Sequence, residues 1–115
     1  MAAYNIETST VVVAGQPATM LKVAFGDPAD NGQIVCAAEQ RMSELKDELA
    51  GPLALINGPA SLPAAVVIAH ALTHRFAAVA VFDPKMGSYV VASSHGTSYA
   101  VGQAIPATEV VAAAE

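Results

Sequence analysis

Gly51-Pro52-Leu53-Ala54-Leu55-Ile56-Asn57-Gly58-Pro59-Ala60-Ser61-Leu62-Pro63 is the stretch that decides the fold. Its apolar run, Leu53-Ala54-Leu55-Ile56, is held between Pro52 and Asn57-Gly58-Pro59 and is too short for a useful helix, so it reads as a buried strand. Ser61 then supplies an N-cap and Pro63 a permitted first-turn proline. Residues 64–75 are almost uniformly apolar, which predicts a mostly buried helix, and residues 76–82 read as a second buried strand. Strand-helix-strand units favour parallel pairing with a right-handed crossover. A parallel centre is therefore expected.

Working outward, residues 83–88 are turn-like and residues 89–93 form the hairpin partner of the strand before them. On the other side, residues 4–13 and 20–25 are β-rich, and Gly15-Gln16-Pro17 between them predicts an opening hairpin. A Gly-, Pro- and Asx-rich loop over 26–32 leads into a helical period. There Ile34, Cys36-Ala37-Ala38, Met42, Leu45 and Leu49 share one broad face, and Gly51-Pro52 is read as the helix stop. Residues 103–115 read as a flexible or short helical tail. The expected fold class is α/β: a single small domain spanning 1–115, with a mixed β-sheet, helices packed on it and β-hairpins at both ends, a CARF-like or ferredoxin-like variant.

With 115 residues the chain has room for one domain, and 54% hydrophobic against 13% charged residues excludes intrinsic disorder. Pro52, Asn57, Gly58, Pro59, Pro63 and His70 break every apolar run short of the ~20 residues a membrane helix needs. The first residues lack a basic region followed by an apolar one, so no secretory signal is read and a cytoplasmic protein is expected. The single cysteine, Cys36, permits no intrachain disulfide and is read as an inert packed thiol. A net charge of -5 argues against duplex DNA as a partner, while leaving room for a small anionic ligand.

Between Gly51 and Thr108 the only charged side chains are Arg75, Asp83 and Lys85, yet His70, His74 and His95 all fall there. His70 and His74 are four apart on one helix face, a spacing that serves packing as well as metal binding, and two ligands without a third do not make a site. Asp83-Pro84-Lys85 follows a buried strand: either a ligand site beyond a carboxyl strand end or an aspartate that starts a tight turn. Asn57-Gly58-Pro59-Ala60-Ser61 leads into a helix N-terminus, where free N–H groups favour a phosphate, though the composition is no Walker or dinucleotide motif. A helix over 62–75 is roughly 20 Å long and the next strand runs back along it, so His74 and Asp83 are expected at opposite ends of one subunit. His95 returns to the His74 end. If His74 and Asp83 act on one substrate, general acid–base reach of roughly 3 Å requires two subunits to meet.

The run from Asn57 to Pro63, Ala69-His70 with His74, Val81-Phe82-Asp83-Pro84-Lys85-Met86-Gly87 and Ser93-Ser94-His95 resemble the Csx-three, or ring nuclease three, family of type III CRISPR-associated proteins. The resemblance implies a nuclease that degrades cyclic tetra-adenylate, an antiviral second messenger, to linear di-adenylates, with manganese (Mn2+) supporting activity. It implies His74 and Asp83 as catalytic residues and Lys85 as the basic residue after Asp-Pro, where relatives carry Arg. It also implies homodimers that stack into tetramers or larger assemblies around the ring. The ligand-binding set read with it is Asn57, Gly58, Ser61 and Lys85, and Asp83 is the metal ligand. His74 is assigned as acid or base, Lys85 as stabiliser of phosphoryl charge and Asp83 as orienter. Three alternatives stand beside it: a sensor or sponge that binds cyclic oligoadenylate without cutting it, a manganese-dependent RNA 3′-exonuclease (deadenylase), and a small oligomeric domain with no ligand in which Asp83 is a turn residue and the histidines are packing.

Overall fold

A computed structural model describes residues 2–113. The chain opens on a hairpin of β1 (Tyr4–Val13) and β2 (Gln16–Phe25), followed by α1 (Asn31–Leu45) with a short 3-10 turn (Lys46–Glu48), then β3 (Gly51–Asn57), α2 (Leu62–Thr73), β4 (Phe76–Asp83) and β5 (Ser88–Ser94). Two three-residue strands close it, β6 (Ala104–Pro106) and β7 (Val110–Ala112). One seven-stranded sheet results, in the order β6-β5-β4-β3-β2-β1-β7. As the sequence predicts, β2, β3 and β4 pair in parallel, and antiparallel hairpins flank them.

Local chemistry sets the boundaries. Asp30 begins α1 with a capping box: its carboxylate accepts from the Gln33 backbone at 2.8 Å while the Gln33 side chain accepts from the Asp30 N–H. Ser61 caps α2 by accepting from the Ala64 N–H, with proline in the first turn.

The curl of the sheet follows from its ends. A flat sheet of seven strands would hold β6 and β7 about 29 Å apart, whereas the three residues between Pro106 and Val110 reach no more than about 14 Å. The sheet therefore rolls into a nearly closed barrel. Its two faces bury separate cores. Ile34, Ala38, Met42 and Leu45 of α1 and Ala64, Ile68 and Leu72 of α2 pack on Tyr4, Ile6, Leu21, Val23, Ala54, Ile56 and Val79 of the outer face. The inner core, Val11, Val13, Ala18, Met20, Leu53, Leu55, Ala78, Ala80, Tyr89, Val91 and Ile105, contains no residue of α1 or α2 and is enclosed by the sheet together with Tyr99 of the loop after β5 and Ala107 of the 3-10 turn. Alternation along β3, with Leu53 and Leu55 inward and Ala54 and Ile56 outward, is what makes its apolar run continuous.

Four local expectations are corrected. β2 starts at Gln16, because Ala14 and Gly15 both take positive φ (51° and 79°) and make a two-residue turn that Gly15-Gln16-Pro17 does not. Pro17 is tolerated in the strand since pairing with β3 begins only at Thr19. Gly51-Pro52 does not stop α1; Gly51 opens β3, pairing with Phe76 and donating its N–H to the Arg75 carbonyl. The tail over 103–115 is, where described, mainly strand: β6 pairs with β5 and β7 with β1, joined by a 3-10 turn at Ala107–Glu109. Residues 114–115 lie outside the described residues. Cys36 is exposed rather than packed, because it lies two residues from both Ile34 and Ala38 and so points away from the face they bury. Among the described residues no helix is long and apolar enough to cross a membrane.

Candidate active site

The histidine pole is built by the end of α2. His74 is its C-cap residue, and the His70 and His74 rings meet edge to face with centroids 4.9 Å apart, both exposed. Beside them a cleft of about 460 Å³ runs between α1 and α2, lined by Glu39, Ser43, Lys46 and Arg75 as well as the two histidines. Arg75 lies 3.8 Å from the Asp47 carboxylate, an exposed pair worth little in stability. His95 donates its backbone N–H to the Ala77 carbonyl near the start of β4, which returns it to this pole.

The aspartate pole lies beyond the carboxyl ends of β2, β3 and β4. Asp83 closes β4 opposite Ser88, the first residue of β5. Its Oδ1 accepts from the backbone N–H groups of Lys85 at 2.8 Å and Met86 at 3.2 Å, and its carbonyl accepts from Gly87. The turn role expected of an aspartate is thus filled by one carboxylate oxygen, Oδ1. Lys85 is exposed in the turn, and among the described residues it makes no ion pair.

The Asn57 loop stands beside this turn, since the β3–β4 register pairs Ile56 with Val81 and, carried two residues on, sets Gly58 against Asp83. Two tyrosines hold it. Asn57 donates from Nδ2 to the Tyr89 hydroxyl at 2.8 Å, a bond that uses one of the amide's two N–H donors and ties the side chain to the fold. Tyr4 donates its hydroxyl to the Pro59 carbonyl at 2.7 Å, and burial pushes the Tyr4 phenol up to about 12. Gly58, at φ +131°, fits where a Cβ would overlap the Val23 carbonyl. Ser61 commits its Oγ to capping α2.

Neither tyrosine was marked by the sequence motifs. The available signal was chemical: a tyrosine in an otherwise apolar, alternating strand needs a partner for its hydroxyl.

The structure therefore sets Asp83, Lys85 and the Asn57–Ser61 loop at one end of the sheet and His70, His74 and His95 at the other, where the His70 and His74 rings are in contact. β4 alone, eight residues long, separates them by roughly 26 Å. Among the described residues no three His, Cys, Asp or Glu side chains cluster so as to hold a metal ion. The described residues of one chain do not by themselves fit manganese, and a site at Asp83 needs ligands from a second chain or from substrate phosphates.

Residues 53–106 match the model of a family described as CRISPR-associated protein (Cas_csx3). The matched stretch runs from β3 to β6 and carries both poles: His70, His74, Asp83, Lys85 and His95. The chain resembles that family, and the match supports a CRISPR-associated role. No curated protein and no solved structure gives a significant match.

Proposed function

We propose that the protein is a ring nuclease that opens cyclic tetra-adenylate to linear di-adenylates and so ends type III CRISPR antiviral signalling. One observation carries the reading: the family match contains a histidine pole and an aspartate–lysine pole that are each incomplete in one chain. Homodimers that stack head to tail bring the poles together around the ring. The ribose 2′-hydroxyl attacks the adjacent phosphorus, forming a 2′-O–P bond and breaking the bond to the 5′-oxygen. His74 takes the hydroxyl proton or returns one to the leaving oxygen, Lys85 faces the developing phosphoryl charge, and Asp83 Oδ2 orients the pair. As a point charge, Lys85 grips phosphate without the bidentate fork of an arginine. Manganese belongs to this reading as a stimulator whose site is completed between chains.

Cyclic tetra-adenylate incubated with the protein, with manganese and with chelator, is expected to give linear di-adenylate. His74→Ala is expected to lose roughly 100- to 10,000-fold in rate while still binding the ring. Full activity in that variant removes His74 from the mechanism.

The separation of the poles also favours a second reading, a sensor or sponge, in which the ring is bound at the aspartate pole and never cut. Ring that stays intact and protein-bound identifies it. The deadenylase reading ranks behind both, because a net charge of -5 gives little support to a long RNA track.

A further inference from the structure

The protein has three tyrosines and three phenylalanines, and only one of those six rings, Phe25, is exposed, at 47%. Tyr4, Phe76 and Tyr89 are buried, and Phe82 and Tyr99 are half-buried against the inner core. Phe25 ends β2, two strands from Asp83 and therefore about 10 Å to the side of it, beyond the same carboxyl strand ends.

Its ring is fixed rather than free. Tyr4 meets it edge to face at 5.5 Å and 73°, and the same Tyr4 holds the Pro59 carbonyl of the Asn57–Ser61 loop. Val23, two residues earlier on the same face of β2, is the residue against which Gly58 is packed. One tyrosine thus sets both the loop and an exposed aromatic face beside it, at the end of β2 where Phe25 pairs with Tyr4 of β1.

We propose that Phe25 is a base-stacking residue, taking the face of an adenine whose phosphodiester lies at the Asp83–Lys85 turn. This rests on the ring nuclease reading and adds to it the residue that grips the base. Stacking suits this ligand: every base offers a π-face, the Phe ring needs no hydrogen-bond partner, and Lys85 supplies the opposite charge for the linked phosphate.

The chain contains no tryptophan, so F25W introduces a sole indole reporter at the position in question. Cyclic tetra-adenylate is expected to quench its emission, and inorganic phosphate is expected to leave it unchanged. F25L keeps the apolar bulk without the π-face and is expected to bind the ring roughly 5- to 150-fold more weakly, with KM raised and kcat near wild type. F25Y is expected to retain affinity. An unquenched F25W, or F25L with wild-type affinity, overturns the proposal while leaving the nuclease reading in place. A wild-type protein that neither binds nor cuts the ring overturns both. Should F25L fail to fold, judged by circular dichroism, F25W decides alone, because it preserves the aromatic contact with Tyr4.

Discussion

Tyr4 shows how much a single side chain arranges. Its hydroxyl bonds Pro59 in the loop, its ring supports Phe25, and its burial pushes the phenol from 10.0 to about 12. Because the folded-state value is raised, the unfolded chain gives up this proton first. The stabilisation is fully present below pH 10 and is lost as pH rises through 12, at up to about 1.4 kcal/mol per pH unit. Tyr4→Phe is expected to lower stability at pH 7 by about 1 kcal/mol for the lost hydrogen bond and to flatten the decline between pH 10 and 12. Denaturant melts of both proteins at pH 8, 10 and 11 check this, and equal slopes would show that Tyr4 is not the titrating group. Asn57 teaches a related lesson. Its position ahead of a helix N-terminus marks it as a ligand donor, and its amide is also tied to Tyr89, a partner 32 residues away that no local pattern announces.

At the scale of elements, what was legible is what is encoded locally. The Leu53–Ile56 run, the Ser61 cap and Pro63 place β3 and α2 because each signal lies inside or next to the element it defines. The tail is different. β6 and β7 are three residues each and exist only through pairing with Ser88–Val90 and Val11–Val13, so no period within 103–115 could reveal them. The loop between β3 and α2 sits between these cases: its turn residues are visible, but the reason Gly58 is required is the Val23 carbonyl across the sheet. Gly58→Ala puts a side chain at φ +131° and into that carbonyl. It is expected to cost at least roughly 1–3 kcal/mol and to weaken ring binding by displacing Pro59 and Ser61. Thermal melts followed by circular dichroism measure the first effect, and an unchanged Tm would mean that the loop relaxes without loss.

For the whole molecule, the decisive feature is that topology puts the chemistry at two ends. In a parallel β3–α2–β4 unit the helix must return the chain to the start of the sheet, so a residue at the end of α2 and one at the end of β4 cannot meet. That much followed from element lengths before any contact was known. What did not follow was the rolled sheet, which gives the barrel one end bearing His74 and one end bearing Asp83. On the proposed function, stacking such units joins unlike ends, a heterologous contact in which each composite site takes His74 from one copy and Asp83 from the next. Two inactive variants therefore carry complementary halves. His74→Ala retains a sound aspartate pole and Asp83→Ala a sound histidine pole, so an equal mixture is expected to recover activity that neither has alone, to about a quarter of the wild-type rate if subunits pair at random. The rate should also rise more steeply than first order in protein at low concentration. Titrating one variant into the other with labelled cyclic tetra-adenylate measures both. A mixture as inactive as its components, with folding and ring binding intact in each, would place His74 and Asp83 in separate tasks and would require the cleaving group to be sought within a single pole.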